Sequence, residues 1–282
     1  MKKRIIPLLF LLFCFITTNL MADDPKKAYR SWEYLNLPVV LSPNWTYNIL
    51  LSHAYEYKRE NDPAKLDEEK KTYFHEVFTG PMYTIKSGDF TLRLPLWYYY
   101  QGFPVKQASN STYPNAYYYS HNVEFLPIVE YKIGNFKIWN RVIFHNKFYS
   151  SYYEKDKRLK DSGKDQDGKG YSLLLREYLR FEYNVTESFR LLIGDEIFYG
   201  TIEDKDTKDI TPDRLGGPGG FELKGFSQNR LYAGFGYNFT KEFSIEPLYM
   251  YQRAYTNKEN KKELVEEDHY LFITFTYVIK TF

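Results

Sequence analysis

Tyr131-Lys132-Ile133-Gly134-Asn135-Phe136-Lys137-Ile138 reads as two runs of alternating apolar and charged residues joined by a Gly-Asn pair. Successive side chains of a strand point to opposite faces. A Gly-Asn pair between two such runs signals a tight hairpin. That hairpin sets Ile133 opposite Phe136 and Tyr131 opposite Ile138, so the two apolar faces coincide, while Lys132 and Lys137 share the other face. A slip of one residue would exchange the faces.

The same parity extends along the chain. Ser42-Pro43-Asn44 sets Leu41 against Trp45 and Val39 against Tyr47. Ser87-Gly88 sets Ile85 against Phe90. Thr186-Glu187-Ser188 sets Val185 against Phe189, and Thr240-Lys241-Glu242 sets Phe239 against Phe243 and Tyr237 against Ile245. The alternations Trp45 to Tyr57 and Phe90 to Tyr100 are long enough to cross a bilayer at a barrel tilt. Strands are expected near 29–41, 45–58, 72–86, 89–101, 119–133, 136–149, 171–185, 189–199, 229–239, 243–254 and 269–281. Long polar segments near 59–70, 102–117, 151–170, 200–228 and 255–267 separate the hairpins. Short turns at one end and long loops at the other are the outer-membrane layout.

The fold class expected is therefore all-β: an antiparallel transmembrane β-barrel of about twelve strands, with ten as the alternative. Eleven strands can be named, whereas bacterial single-chain barrels are usually even-numbered. The first strand would also start on the loop side, although the N-terminus is delivered from the periplasm. A short strand before residue 29, one false strand, or an N-terminal segment through the pore would each reconcile this.

Composition points the same way. Aromatics are 20% of residues, with 29 Tyr, yet mean hydropathy is −0.55. No apolar run of helical spanning length follows residue 22, which excludes a helical membrane protein. A barrel keeps the average polar while Tyr and Trp gather in girdles at the two interfaces.

Residues 1–22 read as a secretory signal peptide: Lys2, Lys3 and Arg4, then an apolar run from Ile5 to Leu20, then Ala22 as the cleavage residue. Residues 23–282 form a single barrel domain. The only cysteine, Cys14, falls within the signal, which suits export to an oxidising compartment. Subtracting the signal's three basic residues leaves 38 − 3 = 35 Lys+Arg against 36 Asp+Glu, a mature charge near −1. That balance gives no electrostatic case for nucleic acid as a partner.

Three segments carry a resemblance: Arg180-Phe-Glu-Tyr-Asn-Val-Thr-Glu-Ser-Phe189, Asn229-Arg-Leu-Tyr-Ala-Gly-Phe-Gly-Tyr-Asn-Phe239 and Ser244-Ile-Glu-Pro-Leu-Tyr-Met-Tyr-Gln-Arg253. They resemble the uncharacterised bacterial outer-membrane family classed as a domain of unknown function, number 2490. The resemblance implies a barrel and no established activity. The chain closes on an aromatic, Phe282, after Tyr270 to Tyr277. A terminal aromatic on a last strand resembles the signal read by the barrel-assembly machinery, the expected partner besides outer-membrane lipid.

Barrel enzymes that act on lipids carry His-x-Ser on one strand, so that the imidazole reaches the hydroxyl. The residues two places after His53, His75, His121, His145 and His269 are Tyr55, Val77, Val123, Lys147 and Leu271. Ser120 and His121 are adjacent and so point to opposite faces. No catalytic residue is assigned. Asp165-Gln-Asp167-Gly168 resembles a fragment of a calcium loop, but Leu174 stands where the closing Glu is needed. Gly216 to Gly220 lacks the Lys of a phosphate loop. No metal or cofactor is expected.

The inward faces carry the candidate site. Parity places Arg93, Glu124, Glu130, Arg141, Arg176, Arg180, Glu182, Arg190, Glu196 and Arg230 in the lumen, with Lys132, Lys137, His145 and Glu246. Mixed charge there can line an ion path or pair into a plug that fills the barrel. Trp97, Tyr99, Trp139, Tyr178 and Tyr232 share those faces and narrow the interior. Asn140, Glu177 and Asp195 fall outward, unless a bulge turns the two acids inward or another subunit covers them. The expected functions are a narrow porin-like channel or a plugged structural envelope barrel. An adhesin or receptor acting through the long loops is the main alternative, and a lipid-modifying enzyme the lesser one.

Overall fold

The computed structural model describes residues 25–61, 72–103, 117–154, 157–158, 168–203, 224–258 and 261–281. The expected signal peptide, Phe282, the Asp165 to Gly168 fragment up to residue 167, the Gly216 to Gly220 run and most of the long polar segments lie outside these residues. The chain is all-β. Its strands are β1 (Lys26–Val40), β2 (Trp45–Glu60), β3 (Thr72–Ser87), β4 (Phe90–Phe103), β5 (Tyr117–Phe125), β6 (Ile128–Ile133), β7 (Phe136–Glu154), β8 (Lys157–Arg158), β9 (Gly168–Asn184), β10 (Phe189–Glu203), β11 (Gly225–Asn238), β12 (Phe243–Lys258), β13 (Lys261–Tyr277) and β14 (Ile279–Lys280).

They close into a barrel in chain order. β5 and β6 both pair with β4 and β7, and so form one stave broken at Leu126-Pro127. β8 adds two residues beside β7, and β14 prolongs β13 along β1. Among the described residues the wall has eleven staves, and each matches a strand named from the alternation. This fits the expectation of about twelve. The odd number closes because β1 and β13 pair in parallel, from Lys26↔Glu266 to Asn36↔Thr276. All other pairings between staves are antiparallel. Lys26 and Tyr277 therefore sit at opposite rims.

The hairpin registers follow the parity. Val39 faces Tyr47, Ile133 faces Phe136, Tyr131 faces Ile138 and Tyr237 faces Ile245. One turn sits a residue later than expected. Gly88-Asp89 forms it, so Ser87 faces Phe90 and Ile85 faces Leu92. Moving a two-residue turn by one shifts the register by two, so every side chain keeps its face. Gly88 takes φ 57°, which a glycine adopts without steric cost. At the same rim Lys280 Nζ lies 3.1 Å from Glu242 Oε1, and this neighbour holds the Glu242 carboxyl below the usual range.

A crease crosses β3 to β7. The ladder skips between Thr79↔Tyr98 and Met82↔Pro95. Pro95 cannot donate to a ladder, but its carbonyl accepts from the Leu126 amide at 3.1 Å, and the Pro127 carbonyl accepts from Val142 at 3.1 Å. The strands approach so closely here that a Cβ on Gly80 would stand 2.1 Å from the Leu96 carbonyl oxygen. Gly80→Ala is expected to cost about 1–3 kcal/mol through this overpacking. A lowered urea midpoint of the compact gel band would show it, and an unchanged midpoint would mean the crease relaxes freely.

Outward positions are apolar along most of the wall. Leu96, Ile193 and Leu271 are 50%, 56% and 52% exposed. Rings such as Trp45, Tyr83, Phe136 and Tyr183 stand near the short-turn rim, with Trp45 and Tyr83 4.9 Å apart and Phe136 and Tyr183 4.8 Å apart. Tyr98, Tyr100, Tyr249 and Tyr251 contact His121 and His269 toward the other rim. The five histidines separate by parity. His53, His75, His121 and His269 lie on the outer wall, and His145 is buried inside.

Candidate functional site

The interior is built in layers, because alternate residues of every stave project into the same narrow space. Glu196 of β10 is the centre of one layer and is 0% exposed. Arg176 of β9 reaches it at 2.9 Å and Arg141 of β7 at 3.2 Å. Arg230 of β11 lies 3.7 Å away, and the Tyr232 hydroxyl donates at 2.7 Å. Two small residues make room for their neighbours. A Cβ on Gly194 would stand 2.6 Å from the Tyr178 ring, and one on Gly236 would stand 2.6 Å from the Arg190 guanidinium.

Glu124, also buried, lies 2.6 Å from His145 Nδ1 and 3.9 Å from Arg176. His145 Nε2 faces Asn122 Oδ1 at 3.2 Å. Both ring nitrogens lie within hydrogen-bond reach of side-chain oxygens. Asn122 Nδ2 donates to Ser120 Oγ at 3.0 Å. Ser120 points inward, whereas His121 contacts the outward Tyr98 hydroxyl at 2.5 Å, so the wall separates the two.

Nearer the short turns, Glu246 takes Arg180 at 2.9 Å and also binds Arg190. Glu182 takes Lys137 at 2.8 Å and Arg180 at 2.9 Å. Arg93 pairs with Glu130. Each of the ten candidate residues thus takes part in an ion pair. Lys132 does not join them and lies exposed at the short-turn rim.

Between the charges lies an aromatic layer. Trp32 packs edge-on to Phe74 and Phe272 at 4.9 and 5.3 Å. Trp139, Tyr178 and Tyr232 follow at 5.1 and 5.0 Å. Arg230 stands 5.2 Å over Trp32, a contact that crosses from β11 to β1. These rings join neighbouring and next-but-one staves into an arc that runs from β7 through β9, β11, β13 and β1 to β3, filling much of the interior at that level.

Sequence reasoning missed two groups. Arg30 of β1 is fully buried and lies 2.6 Å from Glu56, 2.8 Å from Asp268 and 2.9 Å from Glu266. Its guanidinium covers the Tyr73 ring at 3.6 Å. Glu76 of β3 accepts from Ser52, Tyr99, Gln101 and Tyr34 at 2.6, 2.6, 2.7 and 3.1 Å. Its carboxylate is held by neutral donors alone among these bonds. Parity contained the signal, since Arg30 shares a face with Trp32 and Tyr34. Asp268 and Glu266 lay before the expected start of the last strand.

No curated protein matches the chain. A family model described as "Protein of unknown function (DUF2490)" matches residues 29–263. That span covers most of the barrel, including β2 to β12 whole, and the chain belongs to this family, DUF2490.

Proposed function

We propose that the chain is an outer-membrane β-barrel whose lumen is closed by its own side chains, a structural envelope protein rather than an open pore. The carrying observation is the convergence of Arg141, Arg176, Arg230 and Tyr232 on the buried Glu196. The arginines come from β7, β9 and β11, the staves around β10 in the wall; the cluster is withdrawn from solvent, and Arg230 extends from it over Trp32 of β1. A water-filled path would keep such charges solvated, whereas here they are buried against one another beside the aromatic layer.

Outer-membrane placement is supported by the outward wall. Contiguous exposed Leu, Ile, Val and Phe would be costly in water and suit a hydrocarbon shell. Barrels cross a bilayer because closure satisfies every backbone group within the wall. The short-turn rim would then face the periplasm and the long segments the outside. Bilayer lipid and the assembly machinery, reached through the last strand, are the partners in this reading.

The test is single-channel recording. The full chain is expressed with its own leader in a Gram-negative host, extracted from membranes, and added to a planar bilayer after a heat-modifiable gel band confirms the fold. Silent membranes are expected. Stable conductance steps whose ion selectivity changes in Arg176→Glu would replace the plug by a charged pore.

A further inference from the structure

The wall changes character toward the long-segment rim. On β13 the outward positions Leu271, Ile273, Phe275 and Tyr277 are apolar, but the next two outward residues are His269 and Glu267. Glu267 stands opposite Arg253 on β12. This end of the wall is therefore clear of the apolar band, and inside it lies the ion cluster around Arg30. Both of its β13 acids stand in the first rungs of the parallel closure, Lys26↔Glu266 and Ala28↔Asp268.

Glu266 and Asp268 are two residues apart and so share the inner face of β13. One guanidinium serves both, with Arg30 Nη2 2.9 Å from Glu266 and Nη1 2.8 Å from Asp268 Oδ2. Gln252 Nε2 on β12 also donates to Asp268 Oδ2, at 2.5 Å. The other oxygen, Oδ1, is buried and meets no hydrogen-bond donor among the described residues. The carboxyl of Glu266 lies within hydrogen-bonding reach of that of Asp268. Two ionised carboxylates have no hydrogen to offer each other, and they repel. A single proton between them supplies the missing donor.

The other charged and titratable groups facing the pair come from four staves. Lys26 of β1 stands opposite Glu266 in the ladder. Glu56 of β2 competes for Arg30 at 2.6 Å and takes Arg59 at 2.9 Å. Tyr73 of β3 and Tyr270 of β13 lie beside the acids, and Arg230 of β11 stands beyond Tyr270. Burial pushes the Asp268 carboxyl up to about 7, against the pull of Arg30 and with the added effect of Glu266. We infer that Glu266 and Asp268 share one proton beside Arg30 and make the β1–β13 closure a pH-dependent latch, tightest while that proton is held. The folded barrel keeps the proton between the ordinary carboxyl value of 3.8 and about 7, where the unfolded chain has lost it. Stability at the seam therefore falls as pH rises through that window and is level above it.

Hydrogen exchange of the full chain, extracted in mild detergent and corrected for intrinsic amide rates, tests the latch at about pH 5 and about pH 8. At the long-segment ends of β1 and β13 the wild type is expected to exchange on the order of tenfold faster at the higher pH. Asp268→Asn carries an amide as a fixed donor toward Glu266, so its seam should exchange alike at both. Glu266→Gln should flatten the dependence too, because its amide then serves Asp268 Oδ1. A wild type whose seam exchanges alike at both pH values overturns the inference, whatever the variants do. A folded Asp268→Asn or Glu266→Gln chain that keeps the wild-type dependence overturns it as well.

Discussion

Glu196→Gln lowers the stability of the folded barrel by about 3–5 kcal/mol, the cost of stripping the counter-charge from a buried ion cluster. The substitution keeps the side chain's size, so no cavity confuses the result. It leaves Arg141, Arg176 and Arg230 facing one another around a neutral amide. It also weakens the bond from the Tyr232 hydroxyl, now made at 2.7 Å to a carboxylate. The three guanidiniums cannot all find water, because Trp139, Tyr178 and Phe198 pack beside them. The readout is the urea concentration at which the compact, unheated gel band disappears. Glu242→Gln is the control, since Glu242 has one lysine partner at an exposed rim, and its midpoint should not move. Equal midpoints for the two variants would mean that the interior is wet enough to screen the arginines, and would reopen the pore.

Parity made much of this legible. The alternation runs from Trp45 to Tyr57 and, with Asn140 and Asn146 as polar outward exceptions, from Phe136 to Phe148, and the two-residue Gly-Asn turn fixes register to the residue. Membership of the lumen follows from the same count, because a strand offers each side chain only two directions. Two things were not legible. The closing pair joins residues far apart in sequence, and alternation carries no information on whether β1 and β13 run parallel. The counting of strands therefore met an odd number without a reason for it. Partner choice was equally hidden. That Glu196 gathers arginines from three staves, while Glu76 gathers hydroxyls and an amide, depends on stagger around the barrel. The ends of strands were the weakest region, since Arg30, Glu56, Glu266 and Asp268 lie where alternation gives way to bulges at Tyr29/Arg30 and Ala254/Tyr255.

Those same residues carry the other large effect. Arg30→Met is expected to destabilise the barrel by about 3–5 kcal/mol and to do so locally, at the seam. Arg30 touches Glu56 on β2 and both Glu266 and Asp268 on β13, so it ties β1 to its two neighbours at once. Methionine would fill the space over the Tyr73 ring but strip its charge from three carboxylates, with Arg59 still reaching Glu56. Parallel pairs are slightly less stable per residue than antiparallel ones, and β1–β13 is the parallel pair that closes the wall. Arg30→Lys should recover only part of the loss, because an ammonium is a point charge and cannot span three acceptors as a guanidinium fork does. Adding Asp268→Asn and Glu266→Gln to Arg30→Met should recover more, since the repulsion is then removed at its source. Hydrogen exchange separates a seam effect from a general one. Faster exchange confined to β1 and β13, with β4 and β7 unchanged, means that the parallel closure is held by side chains as much as by its ladder. Acceleration spread evenly around the barrel would mean that Arg30 supports the fold as a whole, and that the odd stave count is stable on its backbone alone.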